Sequence, residues 1–211
     1  MDERITVKRF KLERPSGITF VPGQAADISI NKPKWLGEKR PFTFTGLTEW
    51  DHLEFTIKIY PDHHGVTEQL GLLGPGDELV IHDVFGAIHY VDEGIFIAGG
   101  AGVTPFIAIL RQLEKDKKLG NNVLLFSNRT KSDIIMKDEF ERMLGKNFIN
   151  TLTDEKVPGY DNRIIDADYL RSKVDLSKYF YICGPDPMVE GLKTALLSLK
   201  VDEKRIVIEQ F

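Results

Sequence analysis

The amino-acid sequence predicts two units in series: a small antiparallel β-barrel over residues 1–91, then an α/β unit built on a parallel sheet over residues 92–211. Three observations carry that prediction. The first unit consists of strand-length stretches bounded by Pro, Gly, Asp or Asn, with little helical periodicity between them. From about Asp92, apolar strand-like runs alternate with amphipathic helical stretches, the signature of a parallel sheet covered on both faces. The second texture opens with Ile95-Phe96-Ile97-Ala98-Gly99-Gly100-Ala101-Gly102-Val103-Thr104-Pro105-Phe106, an apolar strand that stops at glycines and restarts as a helix.

In order, strands are expected at Ile5–Leu12, Ala26–Ile30, Phe42–Thr45, Leu53–Tyr60 and Glu78–His82, enough for a small closed barrel. Val66–Leu73 is the one stretch there with a helical period. In the second unit, strands are expected at Ile95–Ala98, Val123–Ser127, Phe148–Leu152, Phe180–Cys183 and Ile206–Glu209. The expected helices are Pro105–Asp116, Asp133–Leu144, Ala167–Lys173 and Pro187–Leu199, with Thr104 and Asp186 as N-caps and a proline at the first helical position of two of them.

Composition narrows the function classes. A net charge of −4 gives neither a general nucleic-acid field nor a polybasic membrane anchor. The polar start Met1-Asp2-Glu3-Arg4 does not read as a signal peptide, and no apolar run approaches a membrane span, so a cytoplasmic protein is expected. The single cysteine, Cys183, rules out an internal disulfide and an iron–sulfur cluster held by the chain's own thiolates. The five histidines have no carboxylate or thiol at metal-ligand spacing, so no metal site is expected.

Free N–H groups and the positive dipole end at Thr104–Phe106, behind glycines that let a ligand approach closely, make a site for an anion such as a pyrophosphate. Arg40-Pro41-Phe42-Thr43 offers a guanidinium for a phosphate, an aromatic face for a flat ring and a hydroxyl for a ring nitrogen; alone it also reads as a plain strand opening. Gly65-Val66-Thr67 offers backbone N–H groups, or simply a turn capped by Thr67. Cys183-Gly184-Pro185-Asp186-Pro187-Met188 puts a thiol at the carboxyl edge of the sheet, where α/β sites form, although a lone cysteine is as readily a small buried apolar residue. Ser127, Arg129 and Lys131 follow the second strand of the α/β unit, where an adenosine ribose or its 2′-phosphate would lie.

Taken in their order along nearly the whole chain, these stretches, with Phe20–Gln24 and Gly74–Asp77, resemble the ferredoxin–NADP reductase superfamily. The resemblance implies that Arg40 holds the flavin phosphate, Pro41 and Phe42 face the ring system, and Thr43 hydrogen-bonds near the reactive nitrogen. Phe42 departs from the more usual tyrosine there. It further implies flavin contacts from the backbone of Ile57 and Ile59 and phosphate contacts at Gly65, Val66 and Thr67. Gly100, Gly102, Val103 and Thr104 would receive the nicotinamide nucleotide, with Ser127 and Arg129 at its ribose and Cys183, Gly184 and Met188 bordering the nicotinamide. Some relatives end in glutamate, one residue and an aromatic; here Glu209-Gln210-Phe211 implies that Phe211 covers the flavin and Glu209 lies beside Cys183. Thr43, Cys183, Glu209 and Phe211 would then form the reacting centre.

The implied reaction is hydride transfer from NADPH or NADH to bound FAD, FMN being the lesser alternative, and onward release of electrons to a separate acceptor. That acceptor would be flavodoxin, ferredoxin, an oxygenase component or a small molecule. The cofactors carry the chemistry and the protein positions them. A monomer is expected. Two other readings remain open on the sequence: an NAD(P)H:free-flavin reductase, and a non-catalytic flavin- or nucleotide-binding regulatory subunit. Ser127, Arg129 and Lys131 favour NADPH, whereas Asn128-Arg129-Thr130 followed by Asp133 resembles the loop of NADH-using relatives.

Overall fold

A computed structural model describes residues 6–61 and 63–209. The described residues of the first half form five strands, β1 (Thr6–Glu13), β2 (Ala25–Ile30), β3 (Arg40–Thr43), β4 (His52–Ile59) and β5 (Leu79–Phe85), and one short helix, α1 (Val66–Gly71). All pairings are antiparallel: β1 with β4, and β3-β2-β5 as a second sheet. A single bridge, Phe44 to Phe55, joins the two sheets around one core. That bridge explains a difference from expectation. The third strand spans Arg40–Thr43, and Phe44 leaves it to stack on Phe20 at 4.1 Å and meet Phe55 at 4.8 Å.

Strand β4 shows how the sequence builds this half. Leu53, Phe55, Ile57 and Ile59 alternate along it, and each is at most 6% exposed. Burying side chains of this size contributes roughly 1.5–3 kcal/mol apiece. The intervening residues, Glu54, Thr56 and Lys58, point the other way, yet that face is not solvent: Glu54 is 1% and Thr56 4% exposed. The second half of the chain covers it.

That half carries a five-stranded parallel sheet of order β10-β9-β6-β7-β8, with β6 (Gly94–Gly99), β7 (Val123–Asn128), β8 (Phe148–Leu152), β9 (Tyr179–Cys183) and β10 (Ile206–Ile208). Helices α2 (Thr104–Lys115) and α3 (Lys137–Leu144) contribute to the core on one face. Helices α4 (Ala167–Lys173) and α5 (Asp186–Ser198) contribute to the core on the other. The chain order reverses between β6 and β9, and such a switch point leaves a crevice at the carboxyl ends of the strands. Among the described residues no helix is long and apolar enough to cross a membrane.

Three helix starts differ from the sequence reading. A 3₁₀ turn, Gly100–Val103, precedes α2, so Val103 is its N-cap and Thr104 its first residue. The Thr104 hydroxyl is thereby free to point away from the helix end. Helix α3 begins at Lys137 rather than Asp133, because Asp133 and Thr130 close a capping box around a separate 3₁₀ turn, Lys131–Asp133. Pro185 caps α5, and Asp186 is its first residue.

Among the contacts that tie the halves together, two stand out. Arg111 of α2 is 8% exposed. It donates through Nη1 to Glu54 Oε1 at 2.6 Å and to the Thr45 carbonyl at 2.7 Å, and through Nε and Nη2 to Glu139 at 2.6 and 3.0 Å. Near the end of the chain, Glu209 accepts the N–H groups of Ala87 and Ile88 at 3.0 and 3.1 Å, while Ile88 packs into the core of the second half. Removing one partner of a buried ion pair leaves an uncompensated charge and costs about 3–5 kcal/mol. Arg111→Met is therefore expected to lower unfolding free energy by about that amount in urea titrations, and Glu54→Gln added to it to recover part of the loss. A single variant as stable as the parent would contradict the role given to this pair.

Candidate active site

Between the halves, at the switch point, lies a cleft of about 700 Å³. That is within the range of small-molecule and cofactor pockets, roughly 300–1,000 Å³. One wall comes from the first half: Pro41, Phe42 and Thr43 of β3, Thr56, Ile57 and Lys58 of β4, then Tyr60, Pro61, His63 and Thr67. The opposite wall comes from three strand ends of the parallel sheet, where β6 supplies Gly99–Gly102 and Thr104, β7 supplies Ser127–Arg129, and β9 supplies Cys183–Pro185 with Met188.

The glycine turn is explained by packing as much as by ligand access. A Cβ on Gly102 would overlap the Cys183 carbonyl, so the β6 turn lies directly on the end of β9. Gly100 is different. Its φ is +52°, and a Cβ there would meet only Lys58 Nζ, at 4.0 Å, so this position is open toward the cleft. Across the cleft the Thr104 hydroxyl donates to Thr43 Oγ1 at 3.3 Å, and also to the Ala101 carbonyl at 3.0 Å. The two halves thus meet hydroxyl to hydroxyl at one end of the cavity.

The other end is polar. Lys58, with 11% of its side chain exposed, lies 3.8 Å from Asp133 and over the Tyr60 ring at 5.8 Å, and Tyr60 stacks on His63 at 5.0 Å. Burial lowers the Lys58 pKa; the Asp133 carboxylate opposes that shift and the Arg129 cation adds to it. Burial, with Asp133 acting in the same direction, raises Tyr60. Asn128 has both side-chain amide atoms buried without a partner among the described residues, although it lines the cleft. Buried polar atoms are normally paired, so Asn128 is an unfilled hydrogen-bonding position.

Thirteen of the residues singled out in the sequence line this cleft: Pro41, Phe42, Thr43, Ile57, Thr67, Gly100, Gly102, Thr104, Ser127, Arg129, Cys183, Gly184 and Met188. Ile57 is 3% exposed, which leaves its backbone as the contacting part. Others lie off the wall. Ile59 and Val66 are buried in the first core and Val103 in the second. Gly65 caps α1, and Arg40 is exposed, donating to the Lys39 carbonyl at 2.6 Å and to Glu38 at 3.3 Å. Glu209 is engaged by the backbone at Ala87 and Ile88. Phe211 lies outside the described residues.

The Cys183 thiol is pushed up to about 12 by burial, with the Glu209 charge adding to the shift. It is protonated at neutral pH and forms a soft, uncharged wall rather than a nucleophile. Among the described residues no cluster of His, Cys, Asp and Glu can hold a metal ion. Lys58 and Tyr60 were not identifiable as site residues from the sequence, and Asn128 and Asp133 entered only through the resemblance of their loop to that of NADH-using relatives. The available signal was the period-two alternation of β4, whose polar set Glu54, Thr56 and Lys58 marks a face that needed a partner.

Residues 96–194 match the sequence family described as an oxidoreductase NAD-binding domain. The NADH-cytochrome b5 reductase 1 of Pyricularia oryzae is 26% identical over 98% of this chain and 74% of its own length. The reductase component of propane 2-monooxygenase from Mycolicibacterium smegmatis is 28% identical over 96% of this chain, which spans 62% of that protein. Among solved structures, the FAD/NAD-binding domain of nitric oxide dioxygenase from Vibrio cholerae superposes with a TM-score of 0.85 at 22% identity, covering 99% of this chain and 94% of that one. A ferredoxin NADP+ reductase from Neisseria gonorrhoeae with bound FAD and NADP gives 0.80 at 20% identity, covering 96% and 91%. The chain therefore has the two-part fold of these solved structures, and its residues 96–194 are similar in sequence to oxidoreductase NAD-binding domains.

Proposed function

We propose that this chain is an NAD(P)H-dependent flavoprotein reductase that holds FAD on the first wall of the cleft, receives the reduced nicotinamide nucleotide on the second, and passes electrons to a separate protein. The observation that carries this reading is the meeting of Phe42–Thr43 with Gly100–Thr104 and Cys183–Gly184 in one cleft at the switch point of the sheet. FAD supplies the exchange between two-electron and one-electron chemistry. The chain itself binds, orients and excludes water.

The residues present suit such a group. Phe42 offers a half-buried ring on the wall, and Thr43, 7% exposed, presents a hydroxyl already oriented by Thr104. Arg40 is held by an exposed ion pair with Glu38 and a hydrogen bond to the adjacent Lys39 carbonyl; exposed ion pairs contribute about 1 kcal/mol or less, so turning toward a phosphate costs little. Gly65–Thr67 at the start of α1 add backbone N–H groups. On the nucleotide side, open Gly100, the cations Lys58 and Arg129, and the unfilled amide of Asn128 suit an extended anionic and hydrogen-bonding ligand. The unit boundary at 91/92 is adopted with this reading.

The donor favoured is NADH. The segment after β8 lies against the loop that follows β7 and carries Arg129: the Glu155 carboxylate accepts the Lys131 N–H at 2.7 Å, and the Asp154 backbone N–H donates to the Arg129 carbonyl at 3.0 Å. Acidic groups there favour a free ribose hydroxyl over a 2′-phosphate. The name of the Pyricularia relative carries NADH and that of the Neisseria neighbour NADP, so the loop rather than the names supports NADH; on the accepting side the two relatives' names give a cytochrome and an oxygenase system.

Anaerobic stopped-flow mixing tests this. NADH is expected to reduce the bound flavin at least about tenfold more efficiently than NADPH, and Thr43→Ala is expected to retain flavin while slowing reduction by about tenfold, the order given by losing one neutral hydrogen bond of up to about 1.5 kcal/mol. Reduction of Thr43→Ala at the parental rate would remove Thr43 from the reacting centre. Alkylation of Cys183 by iodoacetamide at pH 8 is expected to run about a hundredfold or more slower in the folded protein than in urea, since the raised pKa leaves little thiolate. Equal rates would show an exposed, ionised thiol instead.

A further inference from the structure

Two sulfur-bearing side chains line the second wall of the cleft, Cys183 and Met188, and hydride transfer changes neither of them. They differ in what an oxidant meets. Peroxide attacks a cysteine as its thiolate, and the raised pKa of Cys183 leaves little of that form. A thioether has no proton to lose, so access decides its reactivity. Met188 is half-buried and lines the cleft. Met143 is 9% exposed and belongs to the core of the second half, against which Met136 also packs.

The thioether of Met188 sits in a fitted socket. Ala98 and Cys183 pair at the ends of β6 and β9, so Gly99 and Gly184 follow side by side. A Cβ on Gly99 would lie 2.5 Å from Met188 Sδ, closer than such atoms come in folded proteins. A Cβ on Gly184 would lie 3.3 Å from the same sulfur and 3.2 Å from Gly99 Cα. Neither glycine has a positive φ, so what their missing side chains supply is room for the sulfur. The backbone of Met188 is fixed as well, its N–H donating to the Pro185 carbonyl at 2.8 Å in the first turn of α5. Methionine often fills irregular gaps, and this one is filled without slack. An oxygen added to the sulfur meets glycine backbone, so the side chain has to leave the socket for the cleft that it lines.

We propose that Met188 is an oxidation site that regulates the enzyme: hydrogen peroxide converts its thioether to the sulfoxide, and the enlarged polar side chain closes the second wall to the nicotinamide nucleotide. The source of the peroxide rests on the reductase reading above. When no acceptor takes the electrons, oxygen does, and NADH, O2 and H+ give NAD+ and H2O2. The sulfur then gives a lone pair to one peroxide oxygen. The O–O bond breaks, an S–O bond forms, and the other oxygen leaves as water, so sulfur loses the two electrons that peroxide gains. An enzyme deprived of its acceptor thereby stops drawing on NADH, and methionine sulfoxide reductases reopen it.

The test exposes the full chain to hydrogen peroxide, follows sulfoxide at each methionine by peptide mass spectrometry, and measures Kd for NAD+, which needs no turnover. Met188 is expected to oxidise about tenfold or more faster than Met143, with Kd rising about tenfold or more in step. Met188→Leu, compared with its own untreated sample, is expected to keep its Kd through the treatment, whereas Met136→Leu loses affinity as the parent does. Methionine sulfoxide reductases for both epimers are expected to restore the parent. Oxidation of Met188 no faster than Met143, a Met188 sulfoxide that leaves Kd unchanged, or equal loss in Met188→Leu overturns the regulatory site. In air with NADH alone, the same sulfoxide is expected to accumulate, and to fall about tenfold when ferricyanide takes the electrons. Equal accumulation under argon, or none while NADH is consumed in air, overturns the proposed source of peroxide. A protein that passes no electrons from NADH to ferricyanide overturns the reductase reading, which the response to added peroxide does not test.

Discussion

The structure depends on one buried contact, Arg111 of α2 with Glu54 of β4. Each half has its own apolar core, and apolar packing alone would allow the halves many relative placements. A guanidinium bound to Glu54, the Thr45 carbonyl and Glu139 accepts few of them, because a misplaced half would leave a charge buried without a partner. Thr45 also donates to Glu54 and exchanges a hydrogen bond with Thr56, so the constraint extends along β4 to the wall of the cleft. Glu209 adds a second tie at the connection between the halves.

This placement of the halves creates a cleft whose two walls carry different chemistry. The first-half wall near Phe42 and Thr43 suits a flat ring with one oriented hydroxyl. The second-half wall is mainly backbone at Gly99–Gly102 and a neutral thiol at Cys183, where a closely approaching group meets no charge. Charge is concentrated at the far end, with Lys58, Arg129 and Asp133. A nucleotide laid along this gradient would put its phosphates and sugar at the polar end and its ring against the other wall. The work asked of the protein is positioning, and none of the described groups in the cleft is arranged as a general acid–base pair.

Most of the fold is legible in the sequence because it rests on local pattern. Ile95–Ala98 and Phe180–Cys183 are apolar throughout because both faces of the parallel sheet are covered, and the alternation of β4 follows the first core. Specific hydrogen bonds and turns, local as well as long-range, decided the features that periodicity could not give. Asp133 looks like the opening of a helix, yet its carboxylate is recruited by Thr130, which moves the helix start to Lys137. Thr104 looks like a cap, yet the preceding 3₁₀ turn takes that role and frees its hydroxyl for Thr43. The polar set of β4, Glu54 and Lys58, finds its partners Arg111 and Asp133 only once the other half is in place. The ordered motifs, Arg129 among them, pointed to the residues of the cleft; Lys58 and Tyr60 at its polar end became visible only with the sheet ends assembled.

The central claim, that this cleft holds a flavin reducible by a nicotinamide nucleotide, is tested most directly by the visible absorption of the purified protein during anaerobic addition of NADH. The account predicts a bound-flavin band, one equivalent per chain, that bleaches with about one equivalent of NADH. A protein that takes up no flavin when FAD is supplied, or whose flavin band persists in excess NADH and NADPH, would contradict it.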